Sequence, residues 1–209
     1  MRVLFTFISL LLLKATFSSP LLVEKRKNQD LSKMILLGYS GRPDLRGLQD
    51  IAEQYNERQT LVYEHNPNGN GNQLGDGVYL TRRLGDWTDE YICAVFAKPG
   101  KFGSAELKKL WLDHDERESP VREQTIKKVF GKDQEVSKVI LVAGMWGGDR
   151  REKDVQMLIP PDFLADPDPS TEKDTGKLGI YVKCVPWDYS NRLPIRSDAK
   201  WHLMRITGF

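Results

Sequence analysis

Residues Asn66–Thr81 constrain this chain more than any other stretch. A run dense in Gly and Asn, Asn66-Pro-Asn-Gly-Asn-Gly-Asn-Gln-Leu-Gly-Asp-Gly, passes without a break into a short segment of β type, Gly77-Val-Tyr-Leu-Thr81. Gly and Asn tolerate positive φ, and Asn can hydrogen-bond its own backbone, so such a loop turns sharply and lets a ligand come close. Loops carried on a rigid strand are where binding sites gather, although the same composition also serves an ordinary connection into a strand.

The ends are read separately from the fold. Arg2, the apolar run Val3–Leu13 and the small residues Thr16 and Ser18 form a secretory signal peptide over residues 1–18, with cleavage expected after Ser18. Residues 19–30 read as a pro-segment or an unstructured N-terminus. Lys25-Arg26 is either a dibasic processing site or a solvated basic run. Residues 31–209 are expected to form a single domain, secreted and monomeric. No later segment is apolar enough to span a bilayer, so no membrane anchor is expected.

The chain carries 31 basic and 29 acidic residues. Loss of Arg2 and Lys14 with the leader brings its net charge to about zero, which argues against nucleic-acid binding driven by basicity. The two cysteines, Cys93 and Cys184, both lie in apolar β-type runs. One disulfide is the simplest reading in an oxidising compartment, and two buried thiols are the alternative.

Along the chain, Lys33–Tyr39 reads as a buried strand. Pro43–Tyr55 reads as a helix, with Leu45, Leu48, Ile51, Ala52 and Tyr55 at helical spacing, and Leu61–Tyr63 as a short strand. Leu84–Tyr91 suggests helical turns, and Ile92–Ala97 a buried strand. Ser104 is placed as the cap of a helix carrying Leu107, Leu110, Trp111 and His114. Ser119-Pro120 opens a third helix, running to Phe130 and closed by Gly131. Val136–Ala143, Val155–Ile159 and Gly179–Val185 read as strands. The run Asp113–Glu118 reads as a solvated helix end, and Asp166–Gly176 as a surface loop. The fold class is α+β with mostly antiparallel strands.

Three short matches, Gly38-Tyr-Ser-Gly-Arg-Pro-Asp44, Gly75-Asp-Gly-Val-Tyr-Leu-Thr81 and Val155-Gln-Met-Leu-Ile-Pro-Pro161, occur in an order and spacing that resembles the ADP-ribosyltransferase superfamily. The likeness is to its secreted and toxin-type members, including fungal proteins related to heat-labile enterotoxin A chains. It implies two small antiparallel sheets around a cleft, with helices on the flanks. It also implies NAD as substrate and a protein acceptor or host protein as partner. Carried over, Tyr39, Ser40, Gly41, Arg42, Gly77 and Thr81 are expected to bind NAD, and Tyr79, Gln156 and Asp154 to serve catalysis. Two positions depart from the family pattern. Ser40 stands where an Arg or His is usual, leaving Arg42 as a substitute. Gln156 stands where a Glu steadies the growing oxocarbenium charge, leaving Asp154 or Glu152 as the nearest carboxylates.

Three functions are compatible with these residues. One is an NAD-dependent transferase or NAD hydrolase. Another is a secreted effector that keeps the fold without the chemistry. The third is a hydrolase using Glu64 and His65, although adjacent residues on an extended segment face opposite ways. His114 reads as a solvated helix residue and His202 as a packed one. Trp111, Trp146, Trp187 and Trp201 read as core aromatics, Trp87 as a residue close enough to cap the cleft, and no metal-ligand spacing is present.

Overall fold

The computed structural model describes residues 30–41, 48–62, 73–87, 90–145, 154–165, 177–195 and 197–209. The leader, the Glu64-His65 pair, most of the Gly/Asn loop, Arg42, Trp146, Glu152 and the loop over 166–176 lie outside those residues.

Seven apolar segments form the strands: β1 (Ile35–Ser40), β2 (Val78–Thr81), β3 (Tyr91–Ala97), β4 (Lys108–Leu112), β5 (Val139–Gly144), β6 (Val155–Ile159) and β7 (Ile180–Pro186). Three helices accompany them: α1 (Leu48–Arg58), the single turn α2 (Pro99–Phe102) and α3 (Val121–Phe130). The result is a mixed α+β fold. The strands lie in the order β4-β5-β6-β2-β1-β3-β7, and every pairing is antiparallel except β4 with β5.

Four features differ from the sequence expectation. The anticipated pair of small sheets is one continuous sheet, because β1 and β2 pair at Tyr39 and Thr81. That seam is narrow. Gly38 has φ +153°, and a Cβ there would overlap the Thr81 carbonyl oxygen, so only glycine lets the two strands approach. A bulge between Leu36 and Gly38 bends β1 just before the seam. The buried Trp201 indole donates to the Leu37 carbonyl at 2.5 Å.

The second difference is β4, which replaces the helix expected after Ser104. Leu107, Leu110 and Trp111 do have helical spacing, but the segment gains more from pairing. It runs beside β5 on one edge and exchanges hydrogen bonds with Thr207 on the other. Ser104 Oγ accepts from the Glu106 N–H in a local turn instead of capping a helix. Leu84–Trp87 forms turns without a helix, and Val62 makes one isolated bridge to Ala165.

Alternation along the strands splits the core between two faces. One face carries Leu37, Val95, Val142, Met157 and Val182, packed under Ala52 and Tyr55 of α1 and under Phe102, Phe163 and Trp201. The opposite face carries two separate clusters. Leu110, Leu141 and Leu158 pack with Ile126 of α3, and Tyr39, Ala94 and Phe96 pack with Leu193 from the C-terminal segment.

Of the two readings for the cysteines, the bridge is the one formed. Cys93 and Cys184 lie directly opposite on β3 and β7, with Cα atoms 4.0 Å apart. Outside them, the Asn56 side chain receives the Cys184 N–H (2.8 Å) and donates to the Cys184 carbonyl (3.0 Å). The Gln59 carbonyl takes the Val182 N–H (3.2 Å).

Candidate functional site

Residues directly opposed in a sheet share a face, so one row can be followed across the molecule. Ala143 pairs with Gln156, Gln156 with Thr81, Thr81 with Tyr39, and Tyr39 with Ala94. The resemblance nominated three members of that row, Tyr39, Thr81 and Gln156. Their face is the one whose apolar cover comes in two clusters, and the polar Gln156 and Thr81 fall between those clusters.

Most of the hydroxyls nominated from the sequence are already occupied. Tyr39 is fully buried, with its OH within reach of the carbonyls of Ile195 (3.1 Å) and Ser197 (2.9 Å). Thr81 Oγ1 lies 3.0 Å from the Arg83 carbonyl and 3.3 Å from that of Tyr39. Tyr79 accepts from the Leu74 N–H (2.9 Å) and donates to the Gly75 carbonyl (2.8 Å), stapling the end of the Gly-rich loop to β2. Burial pushes the Tyr79 hydroxyl up to about 12, against the Leu74 N–H and the Arg122 charge, which act in the opposite direction.

Ser40 pairs with Cys93 and so faces away from the row, and Gly41 is buried just beyond it. Gly77 has φ +141°, and a Cβ there would overlap the Ile159 carbonyl oxygen. Its role is the close approach of β2 to β6. Asp154 is exposed immediately before β6, and its carbonyl takes the Met145 N–H. Burial raises the nearby Asp86 carboxyl above the usual range. The Arg83 N–H works against that shift, and the charges of Asp154 and Asp198 add to it.

Gln156 is engaged through its amide nitrogen. It is 3% exposed, and its Nε2 donates to Gln73 Oε1 at 2.8 Å. The same Gln73 oxygen receives Nη1 of Arg117 at 3.2 Å. Arg117 Nη1 also donates to the Gly144 carbonyl (2.6 Å), and its Nε to the His114 carbonyl (3.3 Å). A guanidinium can only donate, so the Gln73 amide must turn its oxygen toward Arg117. Gln156 must then meet that oxygen with its NH₂ group. The Gln156 Oε1 is thereby left out of the Gln73–Arg117 contact.

Arg117 is 6% exposed and has no carboxylate partner among the described residues. Buried charges are ordinarily paired, so this cation stands out. Neither Arg117 nor Gln73 was nominated from the sequence. Arg117 lies within the charged run Asp113–Glu118, read as solvated, and only tertiary structure distinguishes it from its neighbours. His114 is exposed as expected. His202 is also exposed, whereas packing was expected, because the turn Trp201–Leu203 buries Trp201 and turns the histidine outward. Among the described residues no group of three or more His, Cys, Asp or Glu side chains could hold a metal ion. No described helix is long and apolar enough to cross a membrane.

No curated protein matches the chain. A family model matches residues 72–208, about two thirds of the chain, a span that includes β2 through β7 with Gln73, Arg117 and Gln156 and leaves out β1. On that match the chain belongs to the family of unknown function DUF5910.

Proposed function

We propose that this chain is a secreted protein of ADP-ribosyltransferase-like fold that binds NAD beside Gln156 and hydrolyses its nicotinamide–ribose bond. The observation that carries the reading is the fixed orientation of Gln156, whose amide nitrogen is held on a Gln73 oxygen that Arg117 also engages, leaving its own oxygen out of that contact. A buried polar network of this kind stabilises a fold less readily than apolar packing would, so its presence argues for a role in function.

In the proposed step the C–N bond between ribose and nicotinamide breaks, and nicotinamide leaves with the electron pair. The ribose becomes an oxocarbenium ion, water adds at that carbon, and one proton passes to solvent. Gln156 Oε1 would accept a ribose hydroxyl and direct the negative end of a fixed dipole toward the cation. An amide supplies less stabilisation than a carboxylate. The Arg117 charge also favours the anionic pyrophosphate over the oxocarbenium, so turnover should be slow.

A second reading, a secreted interaction protein without turnover, is favoured by one specific observation. The hydroxyls of Tyr39, Tyr79 and Thr81 are all satisfied internally. Chromatographic assay of free nicotinamide separates the two. Wild type should exceed the buffer control, and Gln156→Ala should lose about 10–100-fold of that rate. A larger loss in Asp154→Asn than in Gln156→Ala would move charge stabilisation to the exposed carboxylate. If wild type releases no more than buffer while still binding NAD, hydrolysis is wrong and the interaction reading stands. Without NAD binding the whole NAD assignment fails.

A further inference from the structure

Away from Gln156, a cavity of about 600 Å³ opens between the start of β1, α2 and the C-terminal segment. That is within the size range of small-molecule sites, which are concave and mainly apolar with a few polar groups. Its apolar lining includes Leu36, Phe102 and Met204, and Leu203 stands at it 67% exposed. Lys200 and Arg205 also line it, and neither takes a carboxylate among the described residues. The one acidic residue of the lining, Asp198, is already paired with Arg83 at 2.9 Å.

Two further observations sharpen the charge imbalance. Behind Phe102, Lys109 is 3% exposed, donates to the Phe102 carbonyl at 2.8 Å and takes no carboxylate among the described residues. Burial, followed by the Arg205 charge, holds the Lys109 ammonium below its usual range. Arg205 itself has φ +52°, a left-handed conformation unfavourable for a residue with a Cβ. The fold therefore holds a cation at the cavity in a conformation that local preference does not supply.

We propose that this cavity binds an amphiphile, an apolar chain ended by one anionic head group. The chain would lie against Leu36, Phe102 and Met204, with the head at Lys200 and Arg205. The apolar lining selects the chain, and the uncompensated cations select the sign of the head. This assignment is independent of the NAD reading.

Calorimetric titration of the full chain with octanoate, decanoate, decyl sulfate and decanol, each below its micellar concentration, tests it. Decanoate and decyl sulfate should bind with similar affinity, and decanol at least tenfold more weakly. Octanoate should bind about fourfold more weakly per methylene removed. Arg205→Gly keeps the backbone accessible while removing the charge, and should bring decanoate close to decanol. Met204→Trp should narrow the apolar end of the cavity and weaken binding of all four. Absence of saturable binding to wild type would overturn the proposal, as would equal affinity for decanol and decanoate.

Discussion

The Tyr79 hydroxyl is pinned between two backbone groups of the loop that precedes it, and burial holds its proton to about pH 12. A free tyrosine ionises near 10. Between those values the folded chain retains a proton that the unfolded chain has lost, so stability should fall as pH rises from about 10 to about 12. Below about 10 this group contributes no slope. Urea midpoints measured across that window should show the decline in wild type and a shallower one in Tyr79→Phe; identical slopes would refute the assignment. Tyr79→Phe should also cost about 1–2 kcal/mol at neutral pH, since two backbone groups lose their partner. The motif around Tyr79 was legible in the sequence, but its occupation was not. Whether a tyrosine meets a ligand or its own loop depends on where Leu74 and Gly75 end up. Gln73 and Arg117 were not legible at all, because nothing local separates a buried arginine from the exposed charges beside it.

The seam between β1 and β2 rests on a position with no room for a side chain. Gly38→Ala should cost roughly 2–4 kcal/mol, combining an unfavourable φ with overlap on the Thr81 carbonyl. Gly131 supplies the comparison. It also has positive φ (+105°), but a Cβ there would meet nothing within 4 Å, so Gly131→Ala should cost only about 1–2 kcal/mol. Equal losses for the two in chemical denaturation would show that crowding at the seam is unimportant. The elements that could be read from sequence, β1, β2, β3, β5, β6, β7, α1 and α3, are apolar runs or amphipathic segments. β4 was misread because its apolar residues fit the helical period, and its strand state is fixed by neighbours distant in sequence: Val139–Ala143 on one side and Thr207 on the other. The union of two expected sheets into one was hidden for a similar reason, since a single residue pair makes the join.

Across the whole molecule, Cys93–Cys184 ties positions 91 residues apart. Closing so long a loop restricts the unfolded chain, and the Cys93→Ala/Cys184→Ala double variant should lose up to roughly 4–5 kcal/mol. A shift below about 1 kcal/mol in its unfolding free energy would mean that the folded packing, not the bridge, carries this stability. The bridge also holds β7, a marginal strand whose outward backbone is taken up by Asn56 and Gln59. At the opposite margin Thr207 occupies the backbone of β4. With both margins engaged by the chain itself at these points, the sheet offers little template for a strand from a neighbouring molecule. Crowding the protein into concentrated solution should therefore leave separate particles in place of fibrils grown edge to edge.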